Sequence, residues 1–405
     1  MMSLLKNSKN KLSKRGIILA IAVIFLCGFA LLILYDASYY SANKNFGDPY
    51  YFVKKQSIAM CLGIVFMLVL SFVKIDFVKK ITIPFLIASF ILLIIIFIPG
   101  VGVESYGARR WINLKITTIQ PSELSKFGLI MFCAKFMENR DMKKVANCLP
   151  ILVVGGIMCV LLILEPNMSV TVLIASLMIL MLFLGGASYK LFFVLIIPLI
   201  ACAVALILTE PYRLQRLMAF IDPWANPKGE GYQLIQSYYA LGSGGWFGVG
   251  LFGSRQKYMF LPFAESDFIF SIVGEELGFI GALFVIGIYI LIVFLGFDIS
   301  KRCTSRFDAL LSGGISAVIC MQTLLNLAVV SGSIPPTGIP LPFMSYGGSS
   351  LVCFCSAVGV LLSIDRKTAI NFLSIKDFGL TKKKGKRLWK TNLLSKAERE
   401  SKAKH

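Results

Sequence analysis

Ten apolar runs govern what this chain can fold into. They lie at about 17–35, 57–73, 81–98, 121–137, 149–164, 169–186, 191–209, 268–297, 309–331 and 346–364. Each reaches or approaches the roughly 20 residues that a helix needs to cross a hydrocarbon core. The composition agrees: 57% hydrophobic residues, 15% charged residues and a mean hydropathy of +0.78 suit lipid as the solvent better than water. The first run is longer than a signal-peptide core and has no small-residue cleavage site after it, so it reads as a retained span. The expected fold is an all-α polytopic membrane protein of about ten transmembrane helices.

Charge gives the orientation. Lys6, Lys9, Lys11, Lys14 and Arg15 precede the first run and place the N-terminus in the cytoplasm; an even number of spans returns the C-terminus there. Of the 41 Lys and Arg, 29 then fall on inside segments and 11 outside, with Lys126 in a span. This divides the chain into a cytoplasmic N-terminus (1–16), a membrane domain (17–365) and a basic tail (366–405), with a large external loop between helices 7 and 8. Thirteen basic residues follow Asp365, so the net charge of +20 belongs to membrane flanks and not to a nucleic-acid groove. The run Lys382–Lys390 reads first as a solvated topogenic tail.

The residue inventory narrows the chemistry. The single histidine, His405, is terminal, which removes a histidine base or histidine metal site. The ten cysteines show neither metal-type spacing nor a disulfide framework. Acid–base work falls to carboxylates, Lys, Tyr or Cys. No internal repeat marks an inverted-repeat transporter.

Three polar stretches map to the outside face. In Gly107–Lys126, Pro121 suits the first turn of a helix. Glu123 and Lys126 then share one helical face and can pair, either as a structural ion pair or to hold a polar cavity. Arg109 and Arg110 precede Trp111; they anchor at the interface or capture a phosphate-bearing lipid head group. In Glu210–Glu276, Tyr232–Leu241 reads as an interfacial helix carrying Gln236, followed by a glycine cluster that permits close backbone approach. Asp267 stands at the mouth of the next span, where helix capping is the structural alternative to a chemical role. Glu275 and Glu276 lie deeper and must pair or face a cavity. The third stretch, Asn326–Ser350, is too rich in Pro and Gly for a continuous helix and reads as a cavity-lining loop.

Together the blocks WINLKITTIQPSELSK, QKYMFLPFAESDFIFSIVGEELGFIG and GIPLPFMSYGGSS resemble signatures of the SEDS family (shape, elongation, division and sporulation) over roughly residues 17–365. Gln256-Lys257 and the GEELG at 274–278 are more similar to its division and sporulation branch than to its elongation branch. The sequence departs at Phe263, Lys115 and Ser333, where the family often has an acid, a glycine and an aliphatic residue; Glu265 stands near the missing acid. The resemblance implies a bacterial cytoplasmic-membrane glycosyltransferase that polymerises lipid II at the division septum, with Asp267 as general base. It implies a class B penicillin-binding protein transpeptidase and other division proteins as partners. Arg109, Arg110, Lys126 and Lys257 are the candidates to neutralise the leaving diphosphate. Glu123, Gln236, Glu276, Ser345 and Ser349 complete the expected polar cavity. The resemblance implies no definite cofactor, with a divalent cation, Mg2+ or Mn2+, as the candidate. The rival readings are a lipid II flippase, a non-catalytic scaffold, and an elongation- or sporulation-specific member of the same family.

Overall fold

The computed structural model describes residues 12–105, 108–113, 118–208 and 211–377. Lys6, Lys9, Lys11, Lys115, Glu210, the Lys382–Lys390 run and His405 lie outside the described residues, as do the side chains of Arg109 and Cys202.

Each apolar run becomes one helix. In chain order these are α1 (Lys14–Phe46), α2 (Tyr51–Phe72), α3 (Ile75–Ile95), α4 (Pro121–Met137), α5 (Val145–Leu164), α6 (Met168–Leu184) and α7 (Tyr189–Leu208). After two shorter helices, α8 (Pro211–Ile221) and α9 (Tyr232–Gly244), come α10 (Ile269–Arg302), α11 (Arg306–Val330) and α12 (Gly348–Asp377). Seven of these are long and apolar enough by themselves to cross a membrane, and α4, α6 and α7 complete the ten. The chain is a multi-pass membrane protein.

Three features go beyond the ten runs. The segment between α3 and α4 forms a small antiparallel sheet, β1 (Gly102–Ser105), β2 (Ala108–Asn113) and β3 (Thr118–Ile119), in the order β1-β2-β3. Helix α8 turns the start of the large loop into an amphipathic element. Helix α12 runs unbroken past residue 365 to Asp377.

Contacts between distant loops sort them into the same two sets, one at each end of the bundle, as the reading from charge. The inner segments meet one another: Arg15 pairs with Asp298 at 2.7 Å, Ser13 donates to Asp365 at 2.9 Å, Lys79 pairs with Glu138 at 2.5 Å, and Arg306 donates to the Arg140 carbonyl at 3.0 Å. The outer segments likewise converge: Arg110 donates to the Pro166 carbonyl, Gln56 to that of Ser345, and Tyr346 N–H to that of Glu265. Between the ends, small residues let helices approach closely, as expected where packing rather than hydrophobic burial drives association. A Cβ at Gly359 of α12 would lie 2.6 Å from the Met67 carbonyl of α2.

Helix α10 is broken. At Gly278 the backbone takes φ 66°, ψ −167°, which divides the helix into 269–277 and 279–302. A break at membrane depth survives only when protein satisfies the freed backbone groups. The glycine-rich segment after α9 does this. Val249 and Gly250 N–H donate to the Glu275 and Glu276 carbonyls at 3.0 Å each, and Phe279 and Ile280 N–H donate to Gly245 and Trp246 at 2.9 and 3.2 Å. Gly248 (φ +80°) has room for no side chain: a Cβ there would sit 2.0 Å from the Glu276 carbonyl. Gly248→Val therefore combines a strained conformation with a backbone clash. It is expected to lower stability by about 2 kcal/mol or more, seen as a fall in the thermal unfolding midpoint of the detergent-purified protein.

Candidate active site

Asp267 lies in the turn before α10. The helix starts at Ile269 with Phe268 at its N-cap position and no side-chain capping bond, so the capping alternative for Asp267 is not realised. Pro262, five residues earlier, keeps this stretch in an irregular turn. The residue is held through its backbone instead: Asn326 Nδ2 of α11 donates to the Asp267 carbonyl at 2.8 Å and to the Ile339 carbonyl at 2.8 Å. One side chain thus joins the Asp267 turn to the Pro/Gly-rich loop between α11 and α12. That loop brings Gly338 (φ +67°) so close that a Cβ on it would be 3.6 Å from Asp267 Oδ2.

The carboxyl of Asp267 is surrounded by protein but keeps a partial opening to solvent. Burial pushes its pKa up to about 6. Its own backbone N–H opposes the rise, the charge of Glu265 adds to it, and the Arg216 guanidinium and Ser266 hydroxyl hold it down. Burial also raises Glu265. This is the environment of a carboxylate that exchanges a proton near neutral pH.

A second layer lies across α4 and α11. Pro121 occupies the first turn of α4, and the Glu123–Lys126 pair forms at 2.9 Å with both side chains almost wholly buried. Lys126 Nζ also donates to Gln322 Oε1 at 2.7 Å, and Gln322 Nε2 donates to the Pro340 carbonyl at 2.9 Å. The chain of contacts Glu123–Lys126–Gln322–Pro340 ends on the loop that carries Gly338. Oε2 of Glu123, Oγ1 of Thr323 and Oδ1 of Asn326 are buried without protein partners, so the layer keeps hydrogen-bonding capacity in reserve.

The structure redistributes the other sequence candidates. Lys126 and Lys257 are not free to neutralise a diphosphate. Lys126 is spent on Glu123 and Gln322, and Lys257 is buried on Asp36 at 2.5 Å with Glu276 at 3.9 Å. A cation buried at this depth must be paired within the protein; sequence spacing gave Glu123 for Lys126 but neither Gln322 nor Asp36. Glu276 is buried in that same cluster and accepts from Ser254 N–H at 3.1 Å. Ser345 is buried and accepts from Leu341 N–H at 2.8 Å, shaping the loop instead of facing a cavity. Ser349 accepts from Gln120 N–H at 3.4 Å, at the entry to α4. Gln236 is half-buried on α9, whose neighbour Gln233 donates to the Pro262 carbonyl at 3.1 Å. Arg109 is on β2, and Arg110 reaches across to the α5–α6 turn. There burial pushes Glu165 up to about 8, with Arg110 opposing.

Sequence reasoning missed Gln322, Asn326 and Arg216. The first two were detectable as amide side chains four apart in an otherwise apolar helix. Arg216 sits on α8, about half exposed, with only a 3.8 Å contact to Glu230, and its charge reaches Asp267.

A ten-span helical bundle with a broken helix, and a carboxyl of raised pKa at one end, defines a multi-pass membrane protein with a candidate acid–base group at that end. The chain matches the family of cell cycle proteins typified by FtsW, RodA and SpoVE over residues 17–370, and it belongs to that family. It is 38% identical to the probable peptidoglycan glycosyltransferase FtsW of Trichlorobacter lovleyi, across 91% of this chain and 97% of that one. It is 35% identical to stage V sporulation protein E of Bacillus subtilis, across 88% and 98%. Among solved structures it resembles a chain of a peptidoglycan synthase complex that coordinates polymerization and crosslinking (TM-score 0.71, 28% identity, 85% and 97% coverage). It also resembles the rod shape determining protein RodA of Thermus thermophilus (TM-score 0.65, 26% identity, 88% and 98% coverage).

The Glu123–Lys126 pair allows a stability test. Lys126→Met leaves a buried carboxylate unpaired and is expected to cost about 3–5 kcal/mol, whereas Glu123→Gln with Lys126→Met removes both charges and recovers most of that loss. Thermal unfolding of the two variants beside the parent measures the difference.

Proposed function

We propose that this chain is a peptidoglycan glycosyltransferase that polymerises lipid II on the outer leaflet, with Asp267 as general base. The observation that carries the reading is Asp267 itself: a carboxyl outside the helix, backbone-anchored, with a pKa raised to about 6 beside an open loop. Its carboxylate takes the proton from the acceptor sugar 4-hydroxyl. The acceptor oxygen bonds to the donor anomeric carbon from the face opposite the diphosphate. The bond from that carbon to the phosphate oxygen breaks, undecaprenyl diphosphate leaves, and the linkage inverts from α to β. Confinement of both lipids to one leaflet supplies proximity.

Among the described basic side chains, Arg216 is the one whose exposure and electrostatic reach to Asp267 suit the leaving diphosphate. An apolar crevice of about 350 Å³ between α2, α3, α4, α11 and α12, lined by Phe66, Leu70, Phe85, Phe127, Met131 and Val352, suits part of an isoprenoid tail. No group of three or more His, Cys, Asp or Glu gathers among the described residues. Mg2+, however, commonly uses one or two carboxylates with substrate phosphates, and Glu265, two residues from the base, suits that sharing. Such an ion would supply charge neutralisation of the departing diphosphate.

The likeness to a chain of a peptidoglycan synthase complex supports a crosslinking partner, here a class B penicillin-binding protein transpeptidase. The FtsW relatives support action at the division septum, with the sporulation relative as the neighbouring alternative.

Purified protein with its transpeptidase partner and labelled lipid II is expected to make glycan chains. Asp267→Ala should lower the rate by about 10²–10⁴-fold, the range for a general base, with an unchanged unfolding midpoint. An Asp267→Ala variant that polymerises like the parent refutes the assignment. The base acts as carboxylate, which is populated above its pKa. The rate is therefore expected to fall below pH of about 6, whereas an ordinary carboxylate would sustain it to about pH 4. Arg216→Ala removes the positive charge that holds the Asp267 pKa down. It should move that acidic limb upward and slow polymerisation.

A further inference from the structure

The cluster around Lys257 is separate from Asp267, and the mechanism above does not use it. It joins three parts of the chain. Lys257 Nζ donates to Asp36 Oδ1 of α1 at 2.5 Å and to the Phe252 carbonyl at 2.7 Å, and lies 3.9 Å from Glu276 Oε1 of α10. All three charged side chains are buried. The neighbouring residues bind the same turn of α10: Ser254 Oγ donates to Glu275 at 2.5 Å, Arg255 N–H to Glu275 at 2.9 Å, and Ser254 N–H to Glu276 at 3.1 Å.

We propose that Lys257, Asp36 and Glu276 are positioning residues for the glycosyl-transfer base: an ionic clamp that locks loop 251–268 against α1 and the first half of α10, and thereby sets where Asp267 stands. The proposal rests on the glycosyltransferase reading for its kinetic consequence but not for its structural one.

Two observations separate this clamp from an ordinary interhelical ion pair. The first is what it holds. Phe252, Met259 and Phe263 all have positive φ (63°, 70° and 55°), and no other stretch of the described chain gathers three such non-glycine residues. A backbone in that state relaxes unless its surroundings over-determine it. Lys257 bonds directly to the carbonyl of the first of the three. The second observation is what lies at the far end of the same loop. There the Glu265 carbonyl accepts from Tyr346 N–H at 2.9 Å, and the Asp267 carbonyl accepts from Asn326. The loop is pinned at both ends, with the base at one of them. Release of the Lys257 end lets the strained segment relax and displaces Asp267 through the loop, although no residue that touches Asp267 has been changed. Because Asp36 belongs to α1, the clamp also ties the base to the first membrane helix.

The test compares variants that keep the fold. Lys257→Met alone strands two buried carboxylates, so the informative variant neutralises all three: Asp36→Asn, Lys257→Met and Glu276→Gln together. The conservative control is Lys257→Arg. Full-length detergent-purified proteins are compared in amide hydrogen exchange of 251–268, thermal unfolding, and kcat and KM for lipid II polymerisation beside the parent and Asp267→Ala. The expected result for the triple variant is an unfolding midpoint near the parent's and loop exchange raised tenfold or more. Its kcat should fall about 10- to 100-fold, the scale of a misplaced catalytic group, with KM within about twofold. Lys257→Arg should restore most of both. If the triple variant unfolds, Asp36→Asn supplies the same comparison. The proposal is overturned if loop exchange and kcat match the parent, or if activity falls only in proportion to unfolded protein. Loop exchange needs no substrate. A parent that makes no polymer would sink the glycosyltransferase reading and leave the clamp judged by exchange alone.

Discussion

Inside a bilayer no solvent completes a peptide hydrogen bond, so a helix interrupted at depth must be completed by another part of the chain. The interlock at Gly278 meets that demand, and the outer half of the molecule depends on it. Four backbone hydrogen bonds from the segment 245–250 close the gap in α10. They also fix α9 on one side and the loop leading to Asp267 on the other. The glycines at 248 and 278 allow two backbones to meet where a Cβ on either would collide. A straight α10 would leave Glu275 and Glu276 pointing from an unbroken rod. The interruption turns their last helical carbonyls toward Val249 and Gly250, while the carboxylates take up Ser254 and Arg255.

Around that interlock, polar side chains divide into groups with different tasks. Glu123, Lys126 and Gln322 form a buried layer whose last contact is the loop carrying Gly338. Asp36, Lys257 and Glu276 form another, joined to the loop that precedes Asp267. Neither layer offers a free cation, because a buried ammonium in lipid is stable only when its partners are protein groups. The exposed guanidinium of Arg216, on an amphipathic surface helix, is different in kind: its partner Glu230 is as exposed as itself. Exchange of such a partner for a ligand anion costs little, since surface pairs contribute at most about 1 kcal/mol.

Most of the architecture was legible in the sequence because lipid permits few solutions. Hydropathy located all ten spans to within a turn or two at most ends, and the overall excess of basic residues on alternate segments gave the expected orientation. The loop contacts Arg15–Asp298, Lys79–Glu138 and Arg306–Arg140 reproduce the inner set. Asp267 was legible through its position after Pro262 and through family resemblance. The long-range pairings were not. Lys126 and Lys257 look alike in sequence, as basic residues near an outer face. The Glu123–Lys126 pair follows from spacing within one helix, but the commitment of Lys126 to Gln322 and of Lys257 to Asp36 depends on segments far apart in the chain. The break at Gly278 was equally hidden, because a glycine within GEELG is compatible with a continuous helix until Gly248 meets it. The small sheet before α4 escaped because its longest strand, ARRWIN, does not alternate apolar and polar residues.

Gly338 gives the site its asymmetry. Asp267 is held by its own turn and by Asn326 of α11, and the loop before α12 faces its carboxylate with a residue that has no side chain. A Cβ at Gly338 would stand 3.6 Å from Asp267 Oδ2, at van der Waals contact, and the positive φ of 67° disfavours a side chain there as well. The loop therefore lies against the carboxylate on backbone alone, so its distance from Asp267 is set by the peptide chain and not by a rotamer.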